Sequence, residues 1–362
     1  MKVALLVSNP YRDLPSQALT ALELCQRGVT CYLVPGRLRN REIWPLAPDL
    51  VVLDNLRTGN EHLTEGMIRS GMRVLLADAE GGVFETLERY AAKLTPNAAL
   101  RHAIGGYCAW GPAMAAHSVA AGWFTSQQVR VTGTPRFDFY ADPWRDAALQ
   151  HSRYAEEFSR PLVLIAGNFN RANPWFGTGE RAVKVFVADG YGEDDMRRWL
   201  EVENGTMREM VELARRLAQA FPEATFVYRP HPFEKAETYE GQLSGLPNLH
   251  LVKRGTIEGW ILRASAMIHR GSSTAIEASI AGVPAFSPSW IPAPVSYPAV
   301  DAVSVACSSE AELCQGIRCA IQGSSATPEW HRVRDERLAK TAKGKLWAKF
   351  KEKMEARAKE KN

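Results

Sequence analysis

Two short polar clusters stand in the stretch from Phe226 to Pro284: YRPHPFE at 228–234 and HRGSSTAIE at 269–277. Each cluster follows an apolar run that predicts a buried strand, at 224–228 and 264–268, and each precedes a segment compatible with a helix. Turns of this kind lie at the carboxyl edge of a parallel sheet, where open α/β sheets bind their ligands. The stretch therefore predicts an α/β fold with a ligand site at these two turns.

The second cluster has the chemistry of an anion site. It combines a flexible backbone with hydroxyl and N–H donors at the start of a predicted helix: Gly271, Ser272, Ser273 and Thr274. A phosphate suits this position, and Glu277, one turn further, is placed to bind the ribose hydroxyls of a nucleotide. The T-x-x-E spacing also fits a simple capping box, so a structural role for Glu277 stays open.

The first cluster supports the same interpretation. Two prolines flank His231 and restrict the local backbone, and Arg229 lies two residues before it. An imidazole in this setting can bind a phosphate oxygen or donate a proton to it. A single histidine is more often structural, but these neighbours favour a nucleotide-binding role for His231 and Arg229.

The rest of the chain alternates predicted strands and helices in two series. The first series has strands at 3–7, 29–34, 50–53, 73–76, 106–110 and 129–131, and the second has strands at 161–166, 224–228, 264–268 and 302–305. This alternation predicts two Rossmann-like domains facing each other across a cleft, the GT-B arrangement of many glycosyltransferases. We expect an acceptor and catalytic domain at 1–150 and a nucleotide-sugar domain at 151–325. The first strand is not followed by G-x-G-x-x-G, so no dinucleotide cofactor is expected.

A pair of acids follows the predicted strand at 73–76. Asp78 and Glu80 are two residues apart and precede Gly81 and Gly82. Two carboxylates at such a turn can share the work of nucleophile or general base and its support in glycosyl chemistry. A metal clamp for a nucleotide diphosphate and a structural helix cap remain alternatives, and the spacing does not tell which acid does what.

Two further loops at predicted strand ends are candidates for binding a sugar. Arg57 and Asn60 follow the strand at 50–53, and the loop after 161–166 carries Asn168, Asn170 and Arg171. Gly81 completes this predicted sugar-binding set, although loops of such composition are more often only turns.

Composition narrows the class of protein. The 362 residues, 46% hydrophobic, suffice for two domains with cores, and the net charge of +4 is concentrated in a basic tail. The tail at 326–362 predicts an amphipathic helix for an anionic membrane surface, or a solvated terminal helix. We expect a cytoplasmic protein, peripheral on the inner membrane face, with six reduced cysteines, no spanning helix and no bound nucleic acid.

Five motifs together resemble the bacterial surface carbohydrate biosynthesis family, and within it the retaining β-Kdo transferases of O-antigen and capsule assembly. The motifs are NPYRDL at 9–14, DAEGG at 78–82, TGTPRFD at 132–138, RPHPFE at 229–234 and GSSTAIEA at 271–278. The histidine-proline and serine pairs are also similar to those with which GT-B sialyltransferases hold CMP.

The resemblance implies transfer of Kdo from CMP-β-Kdo to a glycan or lipid-linked glycan acceptor with retention, without a metal or other cofactor. It assigns the acid pair to Asp78 and Glu80, the phosphate to His231, Ser272 and Ser273, and the ribose to Glu277. Arg57 or Arg171 is then expected to hold the Kdo carboxylate. The alternatives are an inverting CMP-nonulosonate transferase, a UDP-sugar enzyme of the same architecture, and a non-catalytic adaptor for membrane-associated glycan assembly.

Overall fold

A computed structural model describes residues 1–36, 38–158, 161–188 and 191–323. The chain divides into two compact units, one containing Met1–Ala141 and another that begins at Asp142. The predicted basic helix at 326–362 lies outside the described residues. Within the described residues, no helix is long and apolar enough to cross a membrane.

The first unit is built on a six-stranded parallel sheet with the order β2-β1-β3-β4-β5-β6. Its strands are β1 (Lys2–Val7), β2 (Thr30–Pro35), β3 (Leu50–Leu53), β4 (Arg73–Leu76), β5 (Gly106–Ala109) and β6 (Val129–Val131). Helices cover the sheet, so the apolar run from Val3 to Leu6 in β1 is fully buried. This is the pattern that a parallel sheet covered on both faces requires.

The helices of the first unit are α1 (Leu14–Cys25), α2 (Arg39–Leu46), α3 (Glu61–Arg69), α4 (Leu87–Lys93), α5 (Ala98–Ala103) and α6 (Pro112–Ala120). Short 3-10 helices occupy Thr58–Asn60 and Pro135–Tyr140. The predicted strands of this unit are confirmed to within one residue at each end. Each is a short apolar run between helices, and such a run defines where the strand begins and ends.

The second unit contains another six-stranded parallel sheet, with the order β12-β11-β10-β7-β8-β9. Its strands are β7 (Leu162–Ala166), β8 (Thr225–Arg229), β9 (Leu249–Leu251), β10 (Ala266–His269), β11 (Ala285–Pro288) and β12 (Val305–Cys307). The chain order reverses between the neighbouring strands β7 and β10. That switch point is where open α/β sheets bind ligands.

The helices of the second unit are α7 (Trp144–His151), α8 (Gly179–Ala188), α9 (Glu193–Ala220), α10 (Glu237–Leu243), α11 (Ile257–Ile261), α12 (Thr274–Ile280), α13 (Pro298–Asp301) and α14 (Glu310–Ile321). A 3-10 helix lies at Arg153–Ala155. In α9, apolar residues at helical spacing are buried against the sheet: Met210, Leu213, Ala214 and Leu217.

One expectation for the second unit was wrong. The start of this unit, from Asp142, carries α7 and the 3-10 helix, and Arg263 Nη2 donates to Leu149 O at 2.7 Å. The strand expected at 302–305 begins only at Val305, because α13 and the following turn precede it. The strands β9 and β11 were not predicted, because their sequences, LHL and AFSP, are not continuous apolar runs.

Candidate functional site

Asp78 is buried in the turn after β4, and both oxygens of its carboxyl accept hydrogen bonds. Oδ2 accepts from Arg57 Nη2 at 3.1 Å and from Tyr90 Oη at 3.0 Å, while Oδ1 accepts from Glu80 N at 2.9 Å. Burial raises the pKa of Asp78, and the Arg57 cation opposes this only in part. With 1% of the side chain exposed, Asp78 orients Arg57 and Tyr90 rather than meeting a ligand directly.

Glu80 lies two residues further on, and 55% of its side chain is exposed. Arg12 Nη1 donates to Glu80 Oε1 at 3.0 Å. Desolvation raises the pKa of Glu80, but the charges of Arg12, Lys93 and Arg57 outweigh it and hold the pKa below its ordinary value. The two acids of this turn therefore differ: Asp78 is enclosed and fully bonded, and Glu80 is an accessible carboxylate.

Arg12 is a site residue that the sequence did not predict. Asn9 Oδ1 accepts the backbone N–H groups of Tyr11 and Arg12, which folds the segment after β1 into a compact turn. Asp13 then binds the Arg12 guanidinium through both of its oxygens. Burial lowers the pKa of Arg12, but Asp13 and Glu80 together raise it by more. The net pKa is above the ordinary value, so the cation beside Glu80 is permanent. The NPYRDL motif was its signal in the sequence.

The two glycines after Glu80 make room for Trp110. A Cβ atom on Gly82 would lie 2.1 Å from Trp110 Cε3, and one on Gly81 would lie 3.2 Å from Asp78 O. Trp110 Nε1 donates to Asp78 O at 2.8 Å, and the Arg136 guanidinium lies 5.0 Å from the Trp110 ring centroid. Gly81, predicted to bind sugar, thus has a packing role in the acid turn.

The loop after β3 carries two predicted sugar ligands, Arg57 and Asn60, and their surroundings differ. Asn60 is buried, with Oδ1 accepting from Arg57 N at 2.9 Å and Nδ2 donating to Asn55 O at 2.9 Å. These bonds shape the loop and leave Asn60 poorly placed for a sugar. Arg57 keeps one buried nitrogen, Nη1, without an acceptor in the described part of the chain. Arg57 therefore remains the ligand candidate of this loop.

In the second unit, His269 ends β10 and fixes the turn that follows it. Its Nε2 is 2.9 Å from Ser304 Oγ, and its Nδ1 accepts from Ser272 N at 3.3 Å. Burial, with a contribution from Arg270, lowers the pKa of His269 to about 3, so the ring is neutral. The N–H of Ser272 is consequently engaged inside the turn rather than presented to a phosphate.

The remaining donors of this turn are more accessible. Ser272 Oγ pairs with Thr274 Oγ1 at 2.8 Å, while Ser273 and Thr274 are half-buried. The alternative capping box is not formed, because Ser273 is the N-cap of α12 and makes no side-chain capping bond. Glu277 is 2% exposed, which disfavours a direct contact with ribose.

The turn after β8 carries two predicted nucleotide ligands, Arg229 and His231, and their surroundings differ. Arg229 is buried and donates to the carbonyls of Arg254, at 2.7 Å, and of Gly255, which disfavours nucleotide binding. His231 is half-buried, and its Nδ1 accepts from Phe233 N at 3.2 Å. The ring hydrogen of a neutral His231 is then on Nε2.

Glu234 is a buried carboxyl in the turn after β8, and the sequence motif alone indicated no role for it. Its Oε1 accepts from Phe169 N at 2.8 Å and from His231 N at 2.9 Å, and its Oε2 accepts from Tyr239 Oη. Burial raises the pKa of Glu234 to about 7 despite these bonds. The residue ties the loop after β7 to the loop after β8.

The loop after β7 reaches the switch point of the second sheet. Asn168 Nδ2 donates to Gly271 O at 3.0 Å, which joins this loop to the turn after β10. Arg171 donates through N and Nη1 to the buried carboxyl of Glu203, at 3.1 and 3.4 Å. Asn168, Arg171 and Gly271 line one cavity that opens to solvent, with about 300 Å³ of empty space when that solvent is included. Asn170 is half-buried beside them in the chain.

The structure thus groups the predicted residues within each unit. Arg57, Asp78 and Glu80 come together at the carboxyl edge of the first sheet, and Asn168, Arg171 and Gly271 at that of the second. Among the described residues, no group of three or more His, Cys, Asp or Glu side chains is arranged to hold a metal ion.

Two Rossmann-like domains with parallel six-stranded sheets define the GT-B fold, and comparison with solved structures agrees. The sequence itself matches no protein-family model and no curated protein. A putative UDP-N-acetylglucosamine 2-epimerase from Listeria monocytogenes is similar in structure, with a TM-score of 0.58 and 13% identity over 93% of this chain and 95% of that one.

Two further structures share the fold. The UDP-GlcNAc 2-epimerase from Neisseria meningitidis, bound to UDP-GlcNAc, has a TM-score of 0.54 and 12% identity over 92% of this chain and 94% of that one. The wall teichoic acid polymerase TagF, soaked with CDPG, has a TM-score of 0.60 and 10% identity over 100% of this chain and 90% of that one. At such identities the likeness establishes the fold alone.

Proposed function

We propose that the protein is a retaining glycosyltransferase that moves Kdo from CMP-β-Kdo to a surface-polysaccharide acceptor. The observation that carries the proposal is the contrast between the two acids after β4. Double displacement needs an ionised carboxylate that can reach the anomeric carbon and a fixed environment that holds it. Glu80 is exposed with a lowered pKa, and Asp78 is buried and bonded to the groups around it.

The proposal gives the two acids separate roles. A Glu80 oxygen attacks the anomeric carbon, and that bond forms as the bond from carbon to the CMP phosphate oxygen breaks. The acceptor hydroxyl then attacks the same carbon, the bond to Glu80 breaks, and Glu80 leaves as a carboxylate. The hydroxyl proton goes to water, and the two successive inversions keep the β configuration. Asp78 is the positioning residue, because its bonds hold Arg57 and the Glu80 backbone in place.

The nucleotide is assigned to the second unit. The Nε2–H of His231 is the donor for the departing phosphate oxygen, since its Nδ1 already accepts a backbone N–H. Gly271, Ser273 and Thr274 offer further donors, whereas buried Ser272 shapes the turn. CMP leaves as a phosphate monoester, and fixed hydrogen-bond donors stabilise that charge without a metal.

A UDP-sugar enzyme is the second candidate. It is favoured by the fold shared with epimerases whose structures contain UDP or UDP-GlcNAc. Such an enzyme would use the same turns to hold a diphosphate. An activity assay with parallel donors separates the two candidates.

The test is a donor hydrolysis and transfer assay with CMP-Kdo generated in place, run beside UDP-GlcNAc and CDP-glycerol. Wild type is compared with Glu80→Gln, Asp78→Asn and the control Glu88→Gln, which changes an exposed acid of the same unit. Intact-mass spectrometry follows each protein for a covalent sugar.

We expect CMP release by wild type and by Glu88→Gln, with a mass increase of one Kdo. Glu80→Gln should lose both signals. Asp78→Asn keeps the nucleophile Glu80 but loses the carboxylate that positions its surroundings, so it should form the adduct slowly. An adduct that survives in Glu80→Gln would remove Glu80 from this role. Turnover of UDP-GlcNAc without CMP release would replace the donor assignment with the second candidate.

A further inference from the structure

The cavity at the switch point of the second sheet is lined by more hydrogen-bond donors than the protein itself satisfies. It opens to solvent, its empty space including that solvent is about 300 Å³, and its lining includes Arg171, Trp199, Glu203 and Arg270. Arg171 Nε and Trp199 Nε1 are buried and have no acceptor within the described residues. Buried donors without acceptors are unfavourable, so their presence here indicates a ligand that supplies acceptors.

Arg270 adds a cation to this lining. Its Nε donates to Ile291 O at 2.6 Å, and the two terminal nitrogens have no hydrogen bond or ion pair in the described part of the chain. The nearby Arg171 differs, because the Glu203 carboxylate neutralises it. The cavity therefore carries one unbalanced positive charge from Arg270.

The surroundings of Arg270 do not remove this charge. Burial lowers its pKa, and Asp301 opposes that effect through space without forming an ion pair with it. Asp301 instead accepts a hydrogen bond from Ser296 Oγ. A guanidinium that is half-buried and keeps two unpaired terminal nitrogens is suited to a planar or tetrahedral anion.

We propose that this cavity binds an anionic group of the nucleotide-sugar donor and that Arg270 is its principal ligand. The group is either the carboxylate of the sugar or the phosphate of the nucleotide. The identity of the donor rests on the proposed function, but the anion site does not. Arg270 is distinct from Arg57 and Arg171, the two arginines that the sequence suggested for the sugar carboxylate.

Isothermal titration calorimetry tests the site with CMP, UDP and free Kdo as anionic probes, and with cytidine and uridine as probes that lack the anion. Arg270→Gln removes the charge. Ala293→Leu fills the cavity with a larger side chain and leaves Arg270 in place, since Ala293 is part of the lining. Arg216→Gln is the matched control, because Arg216 pairs with Glu310 on the surface of the same unit.

Loss of a charge-assisted hydrogen bond weakens binding by about 10- to 100-fold. We expect that loss for the anionic probes in Arg270→Gln and Ala293→Leu, with no change in Arg216→Gln. A loss confined to Kdo identifies the carboxylate, and a loss for the nucleotides but not for their nucleosides identifies the phosphate. Should Arg270→Gln fail to fold, Ala293→Leu decides alone.

The proposal is overturned if both cavity variants bind every anionic probe as tightly as wild type, or if wild type binds none of them. Binding of UDP but not of CMP or Kdo would leave the site intact and refute the proposed donor. Different binding results therefore overturn the anion site and the proposed donor.

Discussion

The buried carboxyl of Glu234 makes the stability of the protein depend on pH. Burial raises its pKa from 4.5 to about 7, although Phe169, His231 and Tyr239 all donate hydrogen bonds to it. Between these two values the folded state keeps a proton that the unfolded state has released. Stability falls with rising pH wherever the folded state binds more protons. The contribution is therefore complete below pH 4.5 and is lost as pH rises through 7.

The substitution Glu234→Gln removes this dependence. The glutamine oxygen can still accept the two backbone N–H groups, and its amide cannot ionise. At about 1.36 kcal/mol per pKa unit, the interval from 4.5 to about 7 corresponds to about 3 kcal/mol. We expect the variant to match wild type near pH 4.5 and to exceed its stability by about this amount at pH 8. For a unit of this size, that difference raises the melting temperature by about 6–12 °C.

Differential scanning calorimetry at pH 4.5 and 8 measures the effect on wild type, Glu234→Gln and Glu240→Gln. The last variant is the control, because Glu240 is exposed on the neighbouring helix α10. Equal changes in melting temperature with pH for wild type and Glu234→Gln would refute the assignment of the proton to Glu234.

Further predictions concern the acid turn and the nucleotide turn. Gly82→Ala should lower the free energy of unfolding by about 1–3 kcal/mol in urea, since its Cβ would overlap Trp110, whereas Gly59→Ala has open space and should not. Arg12→Gln should move the acidic limb of the kcat profile to higher pH, because Arg12 lowers the pKa of Glu80; an unmoved limb would contradict that coupling. His231→Gln should reduce kcat by roughly 10²- to 10⁴-fold with a smaller effect on KM, and equal effects on both would indicate a binding role only. Incubation with EDTA should leave CMP release unchanged, and a loss restored by added Mg²⁺ would show that a metal takes part.

The local sequence pattern was enough to predict the architecture. Strands such as β3 and β4 are short apolar runs bounded by polar turns, and they begin and end where the sequence indicates. Strand ends in a parallel sheet share one edge, so the positions of the Asp78 turn and the Gly271 turn followed directly. The strands β9 and β11 escaped prediction because their sequences, LHL and AFSP, contain polar residues or proline and are not continuous apolar runs.

What the sequence by itself determined is therefore the α/β class, the two series of strands and the turns that carry polar residues. Only the tertiary structure decided which of these residues is available for chemistry. Arg12 and Glu80 are 68 positions apart in the chain, and Trp110 and Asp78 are 32 apart, yet each pair is in contact. Burial and such distant contacts make Glu80 accessible and Asp78 enclosed, and within the described residues they leave the terminal nitrogens of Arg270 unpaired where those of Arg229 are bonded. Both depend on neighbouring residues that no local sequence pattern specifies.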